Sequence, residues 1–172
     1  MINNISLSGL SICVFGLGRS GISSAIALKN SGAIVSVWDD SEAPRRFAVK
    51  AGLELVDLYK ADWSAFSLLV LSPGIALNHP EPHAIVQLAR ENGIEIIGDM
   101  ELLARSNLVA RVIGITGTNG KSTTTGLIGH LLHNAGHKVQ VGGNFGVPVM
   151  DLEPMDEVGN YVLELSSYQL DL

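Results

Sequence analysis

Gly114-Ile115-Thr116-Gly117-Thr118-Asn119-Gly120-Lys121-Ser122-Thr123-Thr124-Thr125 closes an apolar stretch, Arg111 to Ile115, and opens a helical pattern, Ser122 to Asn134, that Gly136 ends as a C-terminal cap. It reads as strand, glycine-rich loop and helix. Such a turn aims several backbone N–H groups at one point and adds the positive end of a helix dipole, so it holds a phosphate. Lys121 can reach terminal phosphate oxygens, and the Ser122 hydroxyl can ligate a Mg²⁺ that bridges them. The loop Gly117, Thr118, Asn119, Gly120, Lys121 and Ser122 is therefore read as a site for ATP with Mg²⁺. Its spacing departs from the usual phosphate loop, which would put a glycine where Ile115 stands; the glycines fall at Gly114 and Gly117 instead. A polar loop that binds no nucleotide is the competing reading, and Gly-Lys-Ser at the head of a helix argues against it.

Upstream, Ile12 to Phe15 is a short apolar run leading into Gly16-Leu17-Gly18-Arg19-Ser20-Gly21, and Ile22 to Lys29 has helical spacing. A second strand, Ile34 to Trp38, ends at Asp39-Asp40, about 20 residues after the glycines, where a carboxylate that reads a ribose or base is expected. The unit reads as a mononucleotide-binding βαβ. The plainer alternative is a tight strand-to-helix turn whose glycines only let the two elements pack closely, with Asp39 and Asp40 capping a helix ahead of Glu42. Leu68 to Leu71 is a buried strand running into Ser72-Pro73-Gly74-Ile75. A helix from Glu81 to Asn92 stops at Gly93, Ile94 to Ile97 is another strand, and Met100 to Ala104 begins a short helix after Gly98-Asp99. This alternation predicts a parallel sheet covered by helices, with Gly16 to Gly21, Asp39 and Ser72 to Gly74 at the carboxyl edge where ligands bind. His79, His83 and Trp63 lack metal-ligand spacing and read as packing residues.

Downstream, Lys138 to Val141 is a strand ending in Gly142-Gly143-Asn144-Phe145-Gly146. Its glycines permit close backbone approach, and the Asn144 amide can donate and accept; a plain turn is equally open. Asn160 to Glu164 is a third strand. Near a phosphate loop, Glu164 is placed as a direct or water-mediated Mg²⁺ partner, although taken alone it reads as a surface acid. The expected fold class is α/β: a Rossmann-like parallel-sheet N-terminal domain over 1–106, then an incomplete P-loop-type α/β domain over 107–172. Arg105-Ser106-Asn107 is the expected boundary. With three strands of the second sheet written by Leu172, a fragment of a longer protein is expected.

The chain has 172 residues, 47% of them hydrophobic, which excludes a disordered class. No apolar run approaches the ~18 to 20 residues of a membrane span, and Met1-Ile2-Asn3-Asn4 lacks the basic start of a signal peptide, so a cytoplasmic protein without membrane insertion is expected. A net charge of −6 with scattered Lys and Arg argues against nucleic acid. The single cysteine, Cys13, lies in an apolar run and reads as a small buried hydrophobe.

Taken together, Gly16 to Gly21, Ser72-Pro73-Gly74-Ile75, Gly93 to Leu102, Thr116 to Thr125, Gly143-Asn144-Phe145-Gly146 and Glu164-Leu165-Ser166-Ser167-Tyr168-Gln169-Leu170 resemble the bacterial Mur ligase family. Within the family, Asn119 argues against the alanine-adding branch, and the last of these stretches resembles the glutamate-adding branch more than the diamino-acid-adding one. The resemblance implies that the first turn holds the UDP of a UDP-muramoyl substrate in place of NAD. Leu17, Gly18, Arg19 and Ser20 would line the diphosphate, Asp39 would contact the uracil, and Ser72, Pro73 and Gly74 would close the site. Ser41 stands where some members carry an arginine that stacks on the uracil. It further implies ATP-dependent amide formation through an acyl phosphate, with UDP-N-acetylmuramoyl-L-alanine and D-glutamate as substrates. Lys121 and Glu164 would be catalytic, Ser122 and Glu164 would hold Mg²⁺, Thr123 would assist at the phosphates, and Asn144 and Ser166 would contact the muramoyl substrate. A monomer is expected, and a chain of this length would lack the family's third domain and carbamylated lysine and so turnover of its own. Two other readings stay open: an NAD-dependent oxidoreductase using the first glycine turn, and a non-catalytic nucleotide-binding module.

Overall fold

The computed structural model describes residues 5–106 and 108–172. The first sheet contains β1 (Ser11–Phe15), β2 (Ile34–Trp38), β3 (Glu54–Leu55), β4 (Leu68–Leu71) and β5 (Glu95–Ile97), all parallel, in the order β3-β2-β1-β4-β5. The chain winds outward from β1 on one side, then returns to wind outward from β4 on the other. That reversal leaves a crevice at the carboxyl ends of β1 and β4, the place where such sheets bind ligands.

Alternation along β1 and β4 explains why both strands read as unbroken apolar runs. Ile12, Val14, Leu68 and Val70 face one core, shared with Ala25 and Leu28 of α1 (Arg19–Asn30) and Leu102 and Leu103 of α4 (Asp99–Ala104). Cys13, Phe15, Leu69 and Leu71 face the other, shared with Ile85, Val86 and Ala89 of α3 (Ala84–Glu91). Burial pushes the Cys13 thiol up to about 12, and its Sγ donates to the Leu68 carbonyl at 3.5 Å, so it acts as a hydrophobe.

The second sheet is β6 (Arg111–Ile115), β7 (Lys138–Gly143) and β8 (Gly159–Glu164), parallel in the order β6-β8-β7. Its central strand, β8, is buried along its whole length. The long helix α5 (Lys121–Asn134) packs on the sheet through Thr125 and Gly129, where a methyl on Gly129 would lie 2.5 Å from Val141 Cγ2. Val112 on β6 and Leu127 and Leu131 on α5 stay exposed.

Several boundaries differ from the sequence reading. The helix expected from Glu81 starts at Ala84, because Pro82 disfavours helical geometry at Glu81 and His83 caps the helix by accepting the Ile85 N–H at 3.3 Å. β3 and α6 (Ser167–Asp171) were not anticipated, and α2 (Glu42–Lys50) was foreseen only in the plainer reading, as a helix at Glu42 capped by Asp39 and Asp40; its N-cap is Ser41. Only Ala48 of α2 is buried, and its Phe47 and Val49 stay exposed. Asn107 of the expected boundary and 1–4 of the expected leaderless start lie outside the described residues. Among the described residues, no helix is long and apolar enough to cross a membrane.

Candidate functional site

The first glycine turn is built by close approach. Gly16 leaves β1 with φ +86°, and a methyl there would lie 2.7 Å from Ser72 Cβ. Ser72, just past β4, donates its hydroxyl to the Gly16 carbonyl at 2.7 Å. A methyl on Gly21 would lie 1.8 Å from that same carbonyl oxygen, so α1 can sit against the turn only with glycine there. Gly18 differs: nothing lies within 4 Å of where its Cβ would be. It faces a cleft of about 350 Å³ lined by Gly16, Gly18, Arg19, Ser20, Asp39, Ser72, Pro73, Gly74 and Ile75 from the first sheet's loops. Asp39 braces the rim, accepting the Leu17 N–H at 2.6 Å on one carboxylate oxygen and the Ser41 N–H at 2.8 Å on the other.

At the second turn, Gly117 (φ +144°) and Gly120 (φ +76°) bend the chain so that α5 begins at Lys121 with no side-chain cap. The first N–H groups of this helix are thus free of a side-chain partner, as an anion cradle requires. Lys121 Nζ donates to the Gly117 carbonyl at 2.8 Å, holding the ammonium over the loop. Thr118, Asn119 and Thr123 are exposed at its rim. The Ser122 hydroxyl donates to Glu164 Oε2 at 2.6 Å, and Asn144 Nδ2 donates to Glu164 Oε1 at 2.8 Å. Glu164, expected as a Mg²⁺ partner although taken in isolation it reads as a surface acid, is 3% exposed. What brings these groups together is Gly143 (φ +104°): its Cβ would lie 2.2 Å from the Glu164 carbonyl, so only glycine lets the end of β7 close on β8.

The hydrogen bond from Asn144, then that from Ser122, and the Lys121 charge hold the Glu164 carboxyl below the ordinary glutamate range, against the opposing effect of burial. With a depressed folded value, the stability this carboxylate contributes is present above the ordinary glutamate value and is lost as pH falls through the depressed one. A carbon-detected NMR titration should therefore give Glu164 a midpoint below that of exposed glutamates, and Asn144→Ala should move it upward. An unshifted midpoint in the unmodified chain would refute this arrangement.

The cleft at the first turn is also lined by Asn144, from the loop after β7, and Gln169, from α6. Asn144 thus faces the first turn's cleft while its amide holds the carboxylate of the second. Arg19 at the head of α1 donates to the Gly146 carbonyl, and Ser23 donates to Asp151 Oδ1 at 2.8 Å, tying α1 to the loop after β7. Two anticipated residues lie elsewhere. Leu17 is buried and lines a neighbouring cavity of about 360 Å³ with Ile22, Phe47 and Pro148. Ser166 caps α6, accepting the Gln169 N–H at 3.2 Å, and is not part of the cleft wall.

The sequence reading gave no role to Gln169 or to Asp99, whose carboxylate accepts from Gln169 Nε2 at 3.1 Å on each oxygen. The Ser166-x-x-Gln169 capping box was the available signal for α6. Trp63 is buried with its indole N–H donated to the Leu58 carbonyl at 2.9 Å, and the His83 ring packs at a 40° tilt against Phe15 and lies 3.2 Å from Asp40. Among the described residues, no group of three or more His, Cys, Asp or Glu side chains could hold a metal ion. The Ser122 and Glu164 oxygens are hard donors beside an open loop, a set that fits a Mg²⁺ completed by phosphate oxygens and water.

A sequence profile for the Mur ligase MurD-like N-terminal domain matches residues 10–98, and one for the Mur ligase middle domain matches residues 115–172. A protein of Phenylobacterium zucineum named UDP-N-acetylmuramoylalanine--D-glutamate ligase is 51% identical over 178 aligned positions, covering 100% of this chain and 38% of its own length. A Caulobacter vibrioides protein of the same name is 53% identical, covering 94% of this chain and 36% of its own. The chain thus spans little more than a third of these relatives. Among solved structures, UDP-N-acetylmuramate:L-alanyl-gamma-D-glutamyl-meso-diaminopimelate ligase from Neisseria meningitides superposes with a TM-score of 0.55 at 20% identity, over 91% of this chain and 52% of that one. UDP-N-acetylmuramate-alanine ligase from Thermotoga maritima does so with a TM-score of 0.51 at 22% identity, over 91% and 37%. Those two likenesses speak for the fold alone; the profile matches along both sheets make this chain a member of the Mur ligase family.

Proposed function

We propose that residues 1–106 bind the UDP-muramoyl substrate, and that 107–172 form the first part of the ATP-binding middle domain, of a cytoplasmic, monomeric ligase in peptidoglycan precursor synthesis. The whole protein would join D-glutamate to UDP-N-acetylmuramoyl-L-alanine at the expense of ATP. The observation that carries this reading is Asn144, which lines the first glycine turn's cleft and donates to Glu164 beside the second turn. A carboxylate held in one cleft and a γ-phosphoryl group held on the other loop would meet on either side of it.

In this reading Gly18, Arg19 and Ser20 surround the diphosphate, Asp39 meets the uracil, Ser72 to Gly74 close the site, and Asn144 orients the muramoyl arm. Leu17 contributes its backbone, pinned by Asp39. The free N–H groups of Gly117 to Ser122 and the Lys121 ammonium hold the ATP phosphates, with Thr123 beside them. Ser122 and Glu164 would hold Mg²⁺, which supplies positive charge to the phosphate oxygens. The alanyl carboxylate attacks the γ-phosphorus, ADP leaves, and the amine of D-glutamate displaces phosphate from the acyl phosphate. Lys121 neutralises charge that builds on the transferring group. The exposed apolar face of α5 and β6 would pack against the remainder of the middle domain.

Calorimetric titration of the 172-residue chain tests the reading. UDP-N-acetylmuramoyl-L-alanine should bind, NADH should not, and no D-glutamate-dependent phosphate release is expected from this stretch alone. Tight NADH binding without binding of the UDP nucleotide would transfer the first turn to the oxidoreductases.

A further inference from the structure

Asp99 opens α4 and is 3% exposed, yet the groups that favour its carboxylate are neutral: Gln169 Nε2 donates to each oxygen at 3.1 Å, and the Ser20 side chain, on the same small cavity, and the backbone N–H groups at Asp99 and Met100 act beside it. A buried carboxylate held without a cation is costly, so its position is informative. Here three elements meet. Ser20 belongs to the first glycine turn, Asp99 to α4, and Gln169 to α6 beyond the second sheet, 70 residues away in sequence.

The orientation of the Gln169 amide is dictated. Its Oε1 accepts the Ser166 N–H at 3.1 Å and lies 3.3 Å from the Ser166 hydroxyl, so Nε2 must face Asp99. Ser20 and Gln169 both line the cleft, whereas Asp99 sits behind it, against a small cavity shared with Ser20, Gly21 and Ser72. We propose that Asp99 is a positioning residue: it ties Ser20 on one wall of the cleft to Gln169 on the other, and this tie sets the affinity for the UDP-muramoyl substrate. The proposal rests on the substrate reading above. Asp99 touches no ligand itself and acts through the two residues it holds.

The test exchanges the donor and the acceptor. Asp99→Asn keeps the size but puts an NH₂ or a single acceptor where two acceptors stood, and Gln169→Glu sets two carboxylates against each other. Each single variant should weaken UDP-N-acetylmuramoyl-L-alanine binding by about tenfold or more in calorimetry, since a lost buried hydrogen bond of ~1.4 kcal/mol is tenfold in affinity. In the double variant, the NH₂ introduced on α4 donates to the carboxylate introduced on α6, and the new amide's oxygen accepts from Ser20. The new carboxylate still accepts from Ser166. Affinity should then return to within about threefold of the unmodified chain, less than one tenfold step.

A purely structural role predicts otherwise: melting temperatures that fall with no change in affinity, or a double variant as weak as the single ones. Either result overturns the proposal. If the unmodified chain itself fails to bind the UDP nucleotide, the substrate reading falls first, and this inference falls with it.

Discussion

Gly21→Ala is expected to destabilise the chain by about 3 kcal/mol or more, at the upper end of what overpacking costs, and to abolish binding at the first turn. The added methyl would lie 1.8 Å from the Gly16 carbonyl oxygen and 2.7 Å from Ser72 Oγ. The first of these is backbone at the base of the turn and cannot rotate away. Either α1 moves off β1 or the turn opens, and both break the Ser72 hydroxyl's bond to Gly16. For a chain of this size that corresponds to a fall of roughly 6–12 °C in melting temperature. Gly18→Ala provides the control. Gly18 has φ −68°, which alanine adopts, and its Cβ would meet nothing within 4 Å, so stability should stay within about 0.5 kcal/mol. The new methyl would nevertheless project where the diphosphate is proposed to lie. Loss of UDP-nucleotide binding in Gly18→Ala without a change in melting temperature is the expected result. Unchanged affinity in that variant would remove the diphosphate from this turn.

Lys121→Ala should weaken ATP binding by roughly 30- to 150-fold, the effect of deleting a charged hydrogen bond of about 2–3 kcal/mol to phosphate. Folding should be little affected. Among the described residues the ammonium bonds only to backbone carbonyls of its own loop, Gly117 at 2.8 Å and Thr118 at 3.5 Å, and these are exposed positions that water can serve. Equal ATP affinity for Lys121→Ala and the unmodified chain would show that the loop is not a working phosphate site. Urea denaturation of both proteins, with coincident midpoints, would exclude unfolding as the cause of a loss.

Much of this architecture can be read locally. β1 and β4 are legible because strands buried on both faces are written as continuous apolar runs, and Ile34 to Trp38 matches β2 residue for residue. The turn glycines are legible because their spacing is itself the local geometry. Elements with little burial are not. α2 hides Ala48 alone, β3 has two residues, and α6 is a single turn and a half whose capping box is its only mark. The helix expected from Glu81 begins only at Ala84, because the ring of Pro82 disfavours helical geometry at the residue before it.

The site divides along the same line. Each glycine turn is a stretch of consecutive residues, so composition and order alone specified its backbone and, at the second, Lys121 and Ser122. The burial of Glu164, its bond to Asn144, and the Asp99–Gln169 pair arise between segments 20 and 70 residues apart. They exist because parallel pairing sets Gly143 against Glu164 and because α6 folds back onto α4. The sequence alone determined two glycine turns, each between a strand and a helix of an α/β chain, since periodicity and glycine placement act over a few residues. Only the tertiary structure decided that Asn144 serves both, because which strand ends meet depends on burying the apolar faces of the whole chain at once.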